Sequence, residues 1–248
     1  MYRRVQAFVA SAADAFGLRG PLYRFGRSFP GDAGEKTWLP NCLRKPGYVG
    51  LELCGGNAFD ALPFDDASAQ TVLWTGEVEF SVTPQRIAEE TARIIAPGGV
   101  LLMATPVKPS LQKNVKAYWQ RTPVSIERLL AGMDMTMVGW QGAETCPHTI
   151  YGIGFKRPVP PGTLRGADRF LKDFQARLNR LAKQTGRVRQ WMTVVQGCLC
   201  GREFRRQQRD RYRIQFSMHF SVNRSAKTVF PQDFWQDKMI GNRPGLID

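Results

Sequence analysis

The chain has 248 residues, 43% of them hydrophobic, which is enough to bury a substantial core and excludes global disorder. Its formal net charge of +14 is unevenly placed: residues 1–155 carry 15 Lys and Arg against 14 Asp and Glu (+1), whereas residues 156–248 carry 20 against 7 (+13). No apolar run is long enough to span a bilayer, and five scattered cysteines, an odd number, argue against a disulfide framework and for reduced thiols in a cytoplasmic setting.

In chain order, Val5 to Phe16 reads as a sheet-capping helix ended by Gly17, its apolar stretch interrupted by Gln6 and Asp14. After the polar turn Asp65-Asp66-Ala67-Ser68, the short apolar run Thr71-Val72-Leu73-Trp74 suits a buried parallel strand. Pro84 sits where a helix begins. Ile87, Thr91, Ile94 and Ile95 recur at helical spacing, with Glu89, Glu90 and Arg93 on the other side. Pro97 and Gly98-Gly99 are expected to stop that helix, and Val100-Leu101-Leu102-Met103-Ala104 follows as a second strand reached by a crossover.

The seam Lys156-Arg157-Pro158-Val159-Pro160-Pro161-Gly162 divides residues 1–156 from a basic extension at 157–248. Within the extension, Ala167 to Lys183 places Phe170, Leu171, Phe174, Leu178 and Leu181 on one helical face and Arg169, Lys172, Arg177 and Arg180 on another. Such a helix either packs on the core with a solvated basic face or binds a membrane surface or partner. The strip from Gly201 to Arg213 interleaves arginines with Phe204 and Tyr212, a composition suited to an anionic polymer or protein partner at Arg202–Arg213. Cys198-Leu199-Cys200 is spaced too tightly for a zinc pair, and no metal site is expected.

The stretch from Leu62 to Pro106, with its Ala96-Pro97-Gly98-Gly99 turn, resembles the second half of the S-adenosylmethionine (SAM) site in class I methyltransferases. Tyr48 to Leu53 is similar to that family's second strand, and Pro21 to Ser28 to its first strand and the start of the loop under the cofactor. Ala117-Tyr118-Trp119-Gln120-Arg121-Thr122-Pro123, the helical Ser125 to Leu130, and Pro147 to Lys156 resemble segments of a type 11-like bacterial subgroup. The resemblance implies a doubly wound, mostly parallel α/β sheet of Rossmann-like form over residues 1–156, carrying the basic C-terminal extension.

It also implies site residues. Glu52 occupies the position whose carboxylate accepts hydrogen bonds from the two ribose hydroxyls of SAM, a role that needs several acceptor lone pairs. Gly26 is the close-approach position under the methionine part. Leu53 and Thr75 complete the cofactor-binding set, with either Asn57 or Asp60 at the adenine. Tyr118, Trp119 and Arg121 fall on the substrate side, facing a small-molecule or saccharide acceptor. His148 and Glu79 are the candidate proton acceptors. The plain alternatives are a structural histidine and a carboxylate at a helix N-terminus.

The chain departs from the pattern in four places. Arg24 stands where an acidic residue is usual, the glycine loop is thin, Phe80 follows Glu79 in place of a histidine, and Gln112-Lys113-Asn114 lies near where a His-Asp pair is expected. These departures support an alternative function, a catalytically silent scaffold that binds an anionic partner or nucleic acid through its basic C-terminal region.

Overall fold

The computed structural model describes residues 2–26, 39–44, 49–51, 61–75, 83–106, 122–143, 146–199 and 214–220. The N-terminal helix α1 (Tyr2–Phe16) forms as expected. Val5, Phe8, Val9, Ala12 and Ala13 recur at helical spacing and are all buried. Gly17 ends it in the left-handed region at φ +62°, with its N–H on the Ala13 carbonyl at 3.0 Å.

The remaining elements are β1 (Leu22–Phe25), α2 (Asn41–Arg44), β2 (Val49–Leu51), β3 (Ala69–Thr75), α3 (Pro84–Ile94), β4 (Ile95–Pro106), α4 (Pro123–Leu129), β5 (Met135–Ala143), β6 (Cys146–Phe155), α5 (Thr163–Leu199) and β7 (Ile214–Phe220). They build one seven-stranded sheet in the order β2-β1-β3-β4-β6-β5-β7. The β1–β2, β1–β3 and β3–β4 ladders are parallel, and β4–β6, β6–β5 and β5–β7 are antiparallel. Strands β1 to β5 therefore point one way and β6 and β7 the other, a mostly parallel sheet as expected. Its far end is an antiparallel ribbon.

Both faces are covered, which is why the central strands read as continuous apolar runs. On one face Leu22, Leu73, Leu102, Tyr151 and Ile153 pack with Phe8 of α1 and Phe170, Phe174 and Leu178 of α5. On the other, Val72, Trp74, Leu101 and Met103 meet Ile87 and Ile94 of α3 and Ile126 of α4. The first face is knitted by aromatic contacts, with Phe8 4.9 Å from the Tyr151 ring and 5.6 Å from that of Phe174. Its apolar side buried, α5 packs on the core over its first five turns. The partner-binding alternative is left to its basic side.

Helix α3 differs from expectation at its end. Pro84 does open it and Ile87, Thr91 and Ile94 are its buried face, but it stops at Ile94, ahead of Pro97. Ile95 is already extended (φ −71°, ψ 127°) because it pairs with Ala69. The next ladder pair is Thr71 with Val100, so Ala96 to Gly99 bulge out of β4. Gly98 takes φ +75° there, and its N–H reaches the Lys156 and Arg157 carbonyls at 3.2 and 3.1 Å. Lys156 Nζ in turn donates to the Ala92 and Ile95 carbonyls at 2.6 Å each, placing a cation at the helix C-terminus. The proline and glycines thus shape a bulge, and strand pairing ends the helix. A capping box between Thr122 and Ser125 starts α4, their side chains exchanging bonds with each other's backbone N–H at 3.0 and 3.1 Å.

Candidate functional site

In an open α/β sheet, ligands bind outside the carboxyl ends of the strands at the point where the strand order reverses. Here the order reverses between β1 and β3: from β1 the chain goes to β2 on one side and then returns to β3 on the other. The residues at that point are Phe25 and Gly26 at the end of β1 and Thr75 at the end of β3.

Gly26 is buried and adopts φ +125°, a backbone conformation that side chains rarely take. A Cβ there would stand 2.7 Å from Thr75 Oγ1 and closer still to the Thr75 carbonyl. Only glycine lets the chain turn away from the sheet so tightly across its neighbour. Thr75 is 5% exposed, and its hydroxyl donates to the Phe25 carbonyl at 3.4 Å, tying the two strand ends together. One residue earlier, the buried indole N–H of Trp74 has no acceptor among the described residues. A buried donor of this kind calls for an explanation.

Arg24 is 2% exposed and paired in register with Gly50 and Leu73. It shares the α1 side of the sheet with Leu22, since side chains alternate along a strand. Arg24 is thus buried, and it has an interaction partner.

His148 reaches the same edge from the opposite direction. Strand β6 is antiparallel to β4, so its beginning lies beside the end of β4, where Thr149 pairs with Pro106. His148, half-buried and engaged by a partner, is one residue further out. It lies two strand spacings from Thr75, about 10 Å across the sheet, and three residues, about 10 Å, beyond its level along the strand. The edge therefore brings Gly26 and Thr75 into contact and holds His148 apart from them.

Beneath His148 is a buried polar group that sequence reasoning missed. Tyr151 Oη donates to Gln141 Oε1 at 3.2 Å, and neither residue is exposed. Burial pushes the Tyr151 phenol well above its usual range, against the opposing pull of the Arg4 charge and a hydrogen bond with Thr149. The signal was a glutamine in the apolar β5 sequence, a polar side chain in a strand covered on both faces. Among the described residues no group of three or more His, Cys, Asp or Glu is placed to hold a metal ion, and no helix is long and apolar enough to cross a membrane.

No family model and no curated protein sequence matches the chain. Solved structures do. A SAM-dependent methyltransferase from Aquifex aeolicus matches at 13% identity and a TM-score of 0.39, over 60% of this chain and 92% of that one. One from Mesorhizobium loti matches at 10% identity and a TM-score of 0.40, over 60% and 98%. The [4+2]-cyclase SpnF matches at 15% identity and a TM-score of 0.32, over 72% and 68%. Matches this distant, to enzymes of more than one reaction, settle neither activity nor acceptor; the Rossmann-like doubly wound fold is read from the strand order itself.

Of the residues expected to form the site, Gly26, Thr75 and His148 are described, and all three lie at the carboxyl edge. Glu52, Leu53, Asn57, Asp60, Glu79, Tyr118, Trp119 and Arg121 lie outside the described residues, as does the strip Arg202–Arg213.

Proposed function

We propose that the protein is a SAM-dependent methyltransferase that acts on a small-molecule or saccharide acceptor in the cytoplasm. The observation that carries this reading is the pairing of Gly26 with Thr75 at the point where the strand order reverses. It coincides with the segments whose wording resembles the family's cofactor site. The residues there fit such a cofactor: a glycine that lets the chain turn off the sheet directly against Thr75, a hydroxyl fixing two strand ends, and a buried indole donor without an acceptor among the described residues.

In this reading Glu52 accepts hydrogen bonds from the ribose hydroxyls, Leu53 and either Asn57 or Asp60 border the adenine, and Gly26 and Thr75 hold the crevice in shape. When bound, SAM supplies an electrophilic methyl group on a sulfonium. The protein's task is then mostly alignment of the acceptor, by Tyr118, Trp119 and Arg121. His148 or Glu79 takes the proton that the acceptor oxygen or nitrogen must lose.

Calorimetric titration with SAM and with S-adenosylhomocysteine tests the reading. Saturable binding that disappears in Glu52→Ala is the expected result, and no binding at millimolar cofactor overturns it. The buried Arg24 in place of an acid is the observation that favours the silent-scaffold alternative, and the same titration separates the two.

A further inference from the structure

The exposed side of α5 has a pattern that the cofactor site does not use. Arg165, Arg169, Lys172, Arg180 and Lys183 are all exposed. At 3.6 residues per turn they fall within an arc of about 80° and form a line about 27 Å long. Ala176, also exposed, occupies the gap in that line and brings no opposing charge into it. Lys172 is ion-paired with Asp168 at 2.7 Å and Arg180 lies within electrostatic reach of Asp173; Arg165, Arg169 and Lys183 have no ion-paired carboxylate among the described residues.

At its Arg180 end the line meets an open groove of about 500 Å³ between α1 and α5. Arg3, Gln6, Ala7 and Ala10 form one wall and Arg180 and Leu181 the other. The alanines make the groove, because two antiparallel helices with small facing residues leave space between their side chains. Arg177 also borders it but is committed to Asp14 at 2.7 Å and Asp173 at 2.6 Å.

We propose that this stripe, with the groove at its end, is a docking surface for the phosphodiester backbone of a nucleic-acid duplex. Charge complementarity carries the choice of partner. A helix presenting about one cation per turn over about 27 Å faces a polymer that carries one negative charge per about 1.7 Å of its axis, so opposite charge is met along its whole length. Guanidinium groups suit the contact because their planar fork bonds phosphate oxygens in pairs. A protein partner fits less well, since the stripe has no aromatic or large aliphatic residue to serve as a buried anchor. A membrane fits less well again: Phe170, Phe174 and Leu178, the side that would enter a bilayer, are fully buried in the core. The inference is independent of the cofactor reading.

The test is fluorescence anisotropy of the full chain with a labelled DNA duplex of about 20 base pairs across a salt series. The double reversal Arg169→Glu with Lys183→Glu is compared with Arg19→Glu with Arg128→Glu, which removes the same charge from exposed positions elsewhere. The expected result is a loss of affinity at least about tenfold greater for the stripe variant. The neutral pair Arg169→Gln with Lys183→Gln, which spares the helix any new repulsion, should lower the slope of log affinity against log salt by about 1.8. Equal losses in the stripe and control variants would overturn the proposal. So would an unchanged salt slope in the neutral pair, or wild-type binding that is tighter to phosphatidylserine vesicles or to polyglutamate than to the duplex.

Discussion

The two edges of the sheet are built differently. At the amino edge polar groups are used to hold the chain. Arg93 donates to the Leu62 and Phe64 carbonyls at 3.2 and 2.9 Å and to the Glu90 and Asp66 carboxylates. Glu90 also accepts the Leu62 N–H at 2.9 Å, and Asp134 pairs with Arg157 at 2.8 Å. At the carboxyl edge the described polar groups include Thr75 against Gly26, the buried Thr105 and Thr149, His148, the Tyr151–Gln141 pair and the Thr122–Ser125 capping box. One edge braces the starts of β3 and β4; the other is where the strand order reverses. Division of this kind lets a fold keep its scaffold while its site changes.

The sharpest way to break this contrast is to add the same methyl group at each edge. Gly99→Ala would put a Cβ 2.7 Å from Ile95 Cγ2, 2.8 Å from the Ala96 carbonyl and 2.9 Å from the Gln70 carbonyl, all at the amino edge. Gly26→Ala meets Thr75 in the same manner and adds the strain of φ +125°. Overpacking of this order costs about 1–3 kcal/mol, or a fall in Tm of roughly 2–4 °C per kcal/mol in a chain of this size. The two should separate in cofactor titration of the folded protein: Gly99→Ala keeps its affinity and Gly26→Ala loses it. Loss in both would show that the edges are not independent.

Lys156→Met probes the amino edge alone. It removes the cation from the C-terminus of α3 and leaves the Ala92 and Ile95 carbonyls without their donor. A loss of about 1 kcal/mol is expected, with cofactor affinity unchanged. Thr75→Val is the reciprocal probe. It preserves shape and deletes a single long hydrogen bond, so thermal stability should fall by less than about 1 kcal/mol. Cofactor affinity should fall several-fold, because the two strand ends are no longer tied. A Thr75→Val protein that binds as well as wild type would remove the hydroxyl from the site.

The same contrast governs what the sequence revealed. The unit from β3 to β4 was legible because its signals are local: apolar runs, helical spacing and a proline at the first helical position. The end of α3 was not, since Ile95 is taken by Ala69 of another strand, and no local signal reports a distant register. Strand β7 was hidden for a different reason. Ile214, Phe216, Met218 and Phe220 alternate with Gln215, Ser217 and His219, a strand pattern, but it follows the most basic stretch of the chain and its pairing partner Met135–Gln141 is more than 70 residues away. At the site, Gly26 and Thr75 were both reached through the family resemblance, whereas their contact with each other depended on which strands lie side by side.

The smallest expected effect concerns acid. Burial alone would raise the Asp173 pKa, but hydrogen bonds from Ser11 at 2.6 Å and Arg177 at 2.6 Å outweigh it and hold the carboxyl below its ordinary 3.8. Glu90 is held below 4.5, chiefly by its hydrogen bonds from Arg93 and the Leu62 N–H. In each case the unfolded chain takes up the proton first as pH falls. The stabilisation is therefore complete above the unfolded pKa and is lost as pH drops through the lower, folded one. Tm should hold between pH 7 and about 5 and then decline. Glu90→Gln should remove the part of the decline that begins near 4.5, and Asp173→Asn the part that begins near 3.8. Asp173 joins α1 to α5 and Glu90 braces the amino edge, so the two losses should add, as distant sites do. A wild-type acid limb that survives both substitutions unchanged would mean that these two carboxylates contribute nothing to stability and that the amino edge is held by its other bonds, those of Arg93 to Asp66 and to the Leu62 and Phe64 carbonyls among them.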